Sequence, residues 1–151
     1  MSTGPLRIAV LLSGSGTSLE NLCERIDAGD LDAEVCAVIA SKAKAGGLER
    51  ARRRGIPAFA VPRREHPDVG AFNDALHALL ERHAPDLVAL LGFLSPFETR
   101  GQYDGRTLNV HPALIPAFCG QGMYGRRVHE AVLEAGVKLT GATVHFVDAE
   151  Y

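Results

Sequence analysis

Short apolar runs alternate with amphipathic stretches along this chain, and the alternation predicts its elements. "RIAVLLSG" (Arg7 to Gly14) is apolar, contains β-branched residues and ends in glycine, which predicts a buried strand. "TSLENLCERIDAG" follows, with Leu19, Leu22, Cys23 and Ile26 at helical spacing and Gly29 as its stop. "EVCAVIAS" predicts a second strand, "AGGLERARRRG" a short helix closing at Gly55, and "PAFAV" a third strand. In "DVGAFNDALHALLERHAP", Val69, Phe72, Leu76, Leu79 and Leu80 form an apolar stripe, with Pro85 beyond its end. "DLVALLGF", "RTLNVH" and "GATVHFVDA" predict the fourth, fifth and sixth strands. Between the last two lies "YGRRVHEAVLEAG", a helix expected to turn Val128, Val132 and Leu133 inward.

Alternation this regular predicts an α/β fold, a Rossmann-like doubly wound, mostly parallel sheet with helices on both faces. No repeat, low-complexity tract or linker interrupts it, so residues 1–151 read as a single domain. The sequence stops at Tyr151, directly after its sixth strand and without a closing helix, which reads as truncation at the C-terminus.

Composition narrows the function classes. A formal net charge of −2 provides no global field to draw nucleic acid or an anionic membrane. The basic run "RARRR" (Arg50 to Arg54) lacks interleaved aromatics and reads as a solvated helix face rather than an anion patch. No run reaches the ~18 apolar residues of a membrane span. The N-terminus "MSTGPLRIAVLLSG" has one basic residue and leads straight into a glycine turn, so it reads as a core strand and not an export signal. Cys23, Cys36 and Cys119 are widely spaced and show no metal-ligand pattern, which favours a reducing cytoplasm and no zinc or other metal.

Ligands of open α/β sheets sit outside the carboxyl ends of the strands. After the first strand, "SGSGTS" (Ser13 to Ser18) precedes a helix, where glycines allow close backbone approach and free N–H groups favour an anion, typically phosphate. A dinucleotide fingerprint would want a glycine where Leu19 stands, and a Walker loop would want Gly-Lys-Ser/Thr; a mononucleotide-type cradle fits better. The rival reading is a tight turn capped by Ser or Thr. At the fifth strand's end, "RTLNVHPALIPAF" delivers Asn109 and His111 two residues apart, hence onto one face, before Pro112 and Pro116 stiffen the turn. An amide can donate to a developing oxyanion, and an imidazole can exchange a proton at neutral pH. His77, His83 and His129 fall on predicted helices as surface or edge residues. His145 shares a face with Thr143 and Val147 and either lines the site or fills the sheet. Asp148 sits at the sixth strand's end, where its carboxylate could orient His111 or simply be solvated.

Taken together, "AVLLSGSGTSLENL", "KAGGLERARRRGIP", "APDLVALLGFLSP", "RTLNVHPALIPAFCGQGMYG" and "GATVHFVDAEY" resemble the phosphoribosylglycinamide formyltransferases, folate-dependent enzymes of purine synthesis. The matches run in family order over essentially the whole chain, and Asn-x-His-Pro-x-Leu/Ile-Leu/Ile-Pro is a signature of the formyltransferase superfamily. The resemblance implies that Gly16, Thr17 and Ser18 hold the phosphate of glycinamide ribonucleotide through their backbone. It implies that Asn109 and His111 bind the formyl group of 10-formyltetrahydrofolate and carry the chemistry, with Phe93, Leu94 and Asp148 lining the folate cleft. Both partners are then small molecules, with no nucleic acid, membrane or metal, and a homodimer is compatible with the reading.

Three departures from the family accompany the resemblance. The family's essential aspartate aligns one position beyond Tyr151, so Asp148 is at best its neighbour and this chain alone is expected to be inactive. The segment from Phe93 to Ser95 lacks the Met-Arg pair many relatives carry there. For the arginine that touches folate in relatives, Arg63 and Arg64 are approximate candidates. Two rivals lie within the superfamily. Methionyl-tRNA formyltransferases should show a basic C-terminal extension, and formyltetrahydrofolate hydrolases an N-terminal regulatory domain. A non-catalytic nucleotide-phosphate-binding module is the rival from another class.

Overall fold

The computed structural model describes residues 4–147. Six strands and four α-helices follow one another among the described residues in the order the apolar runs predict. They are β1 (Leu6–Leu12), α1 (Thr17–Asp27), β2 (Ala33–Ala40), α2 (Gly46–Arg53), β3 (Ala58–Ala60), α3 (Val69–His83), β4 (Leu87–Leu90), β5 (Thr107–His111), α4 (Arg126–Ala135) and β6 (Thr143–Phe146). They build one six-stranded sheet in the order β3-β2-β1-β4-β5-β6. Every pairing is parallel except the last, in which β6 runs antiparallel to β5. The chain therefore winds outward from β1 in one direction and from β4 in the other. The crevice such a reversal opens lies at the carboxyl ends of β1 and β4.

Both faces of the central strands are covered, which is why β1 and β2 are continuous apolar runs rather than alternating ones. On one face Ile8, Val10 and Leu12 pack with Leu19 and Cys23 of α1 and Leu48 and Ala51 of α2. On the other, Ala9, Leu11, Val88 and Leu90 meet Phe72, Leu76 and Leu80 of α3, with Phe97 and Tyr103 from the β4–β5 connection. At about 25 cal/mol per Å² of apolar surface, each of the buried Val, Leu, Ile and Phe side chains contributes on the order of 2 kcal/mol. The first face is only partly roofed. Between α1 and β6 runs an open apolar trough whose floor includes Leu87, Leu91, Leu108, Val110 and Val144. Among the described residues, nothing packs across it, and Val144 is left 62% exposed.

Two expectations fail on the helices. Leu133 is 79% exposed. Val128 and Val132, one turn apart, set the seam of α4, and Leu133 is rotated away from it by a further residue. His77 is not a surface residue but is buried on α3. Its Nε2–H donates to the Glu98 carbonyl at 2.7 Å, and its ring stacks on Phe97 at 5.6 Å between centroids. Asn73, one turn earlier, donates to Pro96 O and accepts from Glu98 N at 2.8 Å. These two polar side chains pin the β4–β5 connection to α3 through the backbone groups of Pro96 and Glu98.

Candidate active site

Three segments converge on the carboxyl edge of the sheet: the turn after β1, the turn after β4, and the end of β5 with its proline loop. The first is the predicted anion loop. Gly16 caps α1 in the left-handed region (φ 77°) and offers no side-chain bond to the helix start. The first-turn amides of Thr17 and Ser18 thus keep their donors free of a capping side chain, and the helix dipole adds partial positive charge. A glycine is required at position 16 for a second reason: a Cβ there would lie 2.6 Å from Cα of Gly47. The start of α2 is packed directly behind the loop.

The basic run does not behave as one solvated face. Arg52 and Arg53 are exposed, but Arg50 and Arg54 are half-buried and both reach Glu20 in the first turn of α1. Arg54 also pairs with Asp27 at 2.6 Å. The hydrogen bond from Arg54 is the main cause holding the Glu20 carboxyl below its ordinary range, with Arg50 adding to it against the opposing effect of burial. Glu20 therefore stays ionised, with its charge answered by two guanidinium groups.

The turn after β4 is tied to the turn after β1. The Ser13 hydroxyl, 3% exposed, accepts from the Leu94 amide at 2.9 Å and lies 2.5 Å from the Ser41 hydroxyl at the end of β2. Leu94 itself is half exposed at the cleft. Phe93, expected beside it, turns its ring toward the core and stacks on Phe72 at 6.3 Å. Arg63 is held below by a bond to the His66 carbonyl and by Phe72, 5.8 Å from its guanidinium, while Arg64 is exposed. Asp148 lies outside the described residues.

On β5, Asn109 and His111 alternate with Leu108 and Val110 and so share a face, as their spacing requires. Neither is free. His111 is buried and its Nε2 lies 2.7 Å from the Phe118 carbonyl. A carbonyl only accepts, so Nε2 carries the hydrogen and Nδ1 is the nitrogen left for chemistry. Asn109 Nδ2 lies 3.0 Å from Nε2 of His145, its cross-strand partner on β6. The other ring nitrogen of His145, Nδ1, faces the Phe146 carbonyl at 3.0 Å. One neutral tautomer satisfies both contacts, with Nδ1–H donating to Phe146 and Nε2 accepting from Asn109. His145 thus orients the amide of Asn109, whose second N–H and oxygen have no side-chain or backbone bond among the described residues. The proline loop is held against β6 by Thr143, whose hydroxyl donates to Ala113 O at 2.7 Å and accepts from Ile115 N at 3.1 Å. Among the described residues no group of three or more His, Cys, Asp or Glu side chains could hold a metal ion, and no helix is long and apolar enough to cross a membrane.

This arrangement has close counterparts. Residues 6–151 match the formyl transferase family. The chain belongs to the formyl transferase family. Among the similar members, the chloroplastic phosphoribosylglycinamide formyltransferase of Arabidopsis thaliana is 38% identical over 148 residues, covering 96% of this chain and 51% of that protein. The Haemophilus influenzae phosphoribosylglycinamide formyltransferase is 37% identical over 147 residues, covering 95% of this chain and 66% of that protein. The crystal structure of glycinamide ribonucleotide transformylase 1 from Symbiobacterium toebii superimposes with a TM-score of 0.89 at 38% identity, over 99% of this chain and 69% of that one. This formyl transferase chain thus spans half to two thirds of the curated relatives named here, and its fold matches that of the solved structure.

Proposed function

We propose that this chain carries the reaction centre of a phosphoribosylglycinamide formyltransferase, moving a formyl group from 10-formyltetrahydrofolate to the amine of glycinamide ribonucleotide. The observation that carries the reading is the hydrogen-bonded pair at the end of β5: Asn109 held by His145, and His111 held by Phe118 with Nδ1 left open. Residues 1–151 act in it as one formyltransferase domain, in the cytoplasm.

Gly16, Thr17 and Ser18 seat the ribonucleotide's phosphate through backbone N–H groups at the start of α1, where the helix dipole favours an anion. Leu94 and the turn after β4 line the folate side of the cleft, and the Ser13 hydroxyl fixes that turn relative to the phosphate loop. When the amine attacks the formyl carbon, charge builds on the formyl oxygen, and the free N–H of Asn109 donates to it. Loss of one such donor typically raises the barrier by about 3 kcal/mol. His111 moves the proton through Nδ1, taking it from the attacking nitrogen and returning it to the departing folate nitrogen. The Phe118 carbonyl keeps Nε2 protonated throughout and so prevents the ring from presenting the wrong nitrogen.

The test is transfer of labelled formyl from 10-formyltetrahydrofolate to glycinamide ribonucleotide by the protein at its natural full length. Formation of formylated ribonucleotide supports the proposal. Tight ribonucleotide binding with no transfer would replace it with a phosphate-binding module.

A further inference from the structure

The anion loop is shaped from behind. The Gly14 carbonyl accepts from the Gly47 amide at 3.1 Å, and the Ser15 carbonyl accepts from Nε of Arg50 at 2.9 Å. In a planar trans peptide, C=O and N–H point in opposite directions. With the two carbonyls turned toward α2, the amide hydrogens of Ser15 and Gly16 turn away from it, to the ligand side. Successive N–H groups aimed into one concavity form an anion nest. The approach is as close as glycine allows: a Cβ at Gly46 would meet Ser15 Cα at 3.3 Å, and one at Gly47 would meet Leu12 Cδ2 at 2.5 Å.

We propose that Arg50, together with Gly47, is the positioning residue of the phosphate loop, holding the carbonyls of Ser15 and Gly14 backward so that the amides of Gly16 and Ser15 present to the phosphate. The assignment rests on the phosphate reading of that loop given above. Arg50 is not itself a ligand in this arrangement. Its Nε is committed to Ser15 and its Nη1 lies 3.4 Å from Glu20. A carboxylate in the first turn of α1 would compete with an anion for the helix dipole, and Arg50 and Arg54 neutralise it.

The experiment is an amide-resolved NMR titration of the chain with inorganic phosphate, comparing wild type, R50A and E20Q at about 0.1 M and about 1 M salt. Wild type should shift the Ser15 and Gly16 amides. R50A should bind about tenfold more weakly, equivalent to roughly 1.4 kcal/mol, and by the same ratio at both salt concentrations. E20Q, which removes the ion pair but spares the Ser15 contact, should stay within about twofold of wild type. With a screening length of about 3 Å at the higher salt, an R50A loss that vanishes there would make Arg50 a remote charge and overturn the proposal. So would R50A binding as tightly as wild type, or E20Q losing as much as R50A. If phosphate moves none of the Ser15, Gly16, Thr17 and Ser18 amides in wild type, the loop reading itself falls; shifts confined to Thr17 and Ser18 would overturn the present proposal alone. The side chain of Arg50 is 37% exposed, so its truncation leaves the core intact, and a thermal melt of each variant verifies this.

Discussion

Gly16→Ala is the substitution whose cost the structure defines best. Gly16 has φ 77°, and an alanine there incurs the left-handed penalty of about 1–2 kcal/mol. In addition, its Cβ would lie 2.6 Å from the Gly47 Cα, a backbone atom that moves only if the start of α2 moves. Overpacking of that kind costs about 1–3 kcal/mol, so the total is roughly 2–5 kcal/mol. Gly55→Ala is the matched control: its φ is 70°, but a Cβ there has nothing within 4 Å, so only the conformational penalty applies. At about 2–4 °C per kcal/mol for a chain of this size, calorimetry should show roughly 4–20 °C lost for Gly16→Ala and roughly 2–8 °C for Gly55→Ala. Gly16→Ala should also weaken ribonucleotide binding far more than folate binding, since it displaces the nest. Equal thermal shifts for the two variants would refute the claim that α2 is packed against the loop.

Other consequences can be checked directly. His111→Ala, at natural full length, should lower turnover by at least about 10²-fold, the low end for loss of a general acid–base; near-wild-type turnover would end the proposed role. Glu20 has its carboxyl depressed in the folded state, so the stability it adds is present above the ordinary carboxylate range and fades as pH falls through the lowered value. Wild type and E20Q should therefore differ in chemical denaturation at neutral pH and converge in strong acid; a gap that persists undiminished there would contradict the pairing. Burial pushes the thiols of Cys23 and Cys36 up and hides them, whereas Cys119 is exposed. Intact-mass analysis after brief alkylation of the native protein at neutral pH should show a single adduct, at Cys119; labelling at Cys23 would mean that the α1 face opens readily.

Strand positions were legible in the sequence because a parallel strand buried on both faces has to be apolar throughout, as β1 and β2 are. The same spacing rule correctly placed Asn109 and His111 on one face. What the sequence could not supply were contacts between residues far apart in the chain. Arg50 and Arg54 look like any helical basic run until α1 brings Glu20 beside them. His145 becomes an orienting group only because β6 turns antiparallel and sets it across from Asn109, a register no local pattern encodes. His77 was misjudged for a related reason. Polar residues on a helix are expected outside, yet the β4–β5 connection needs a buried donor, and His77 supplies it. Phe93 adds a contact no local pattern encodes: its ring stacks on Phe72 of α3.

The partly roofed sheet has a practical consequence. A trough floored by leucines and valines is the surface to which environment-sensitive dyes such as anilinonaphthalene sulfonate adhere, and among the described residues of this chain it lies open. The folded chain should fluoresce with such a dye before any heating, so dye-based melting screens for ligands would begin from a bright baseline and understate the transition. The sequence contains no tryptophan and only three tyrosines, so intrinsic fluorescence is a weak substitute and circular dichroism is the better monitor. A charge placed at Val144 should dim the baseline while barely moving the melt.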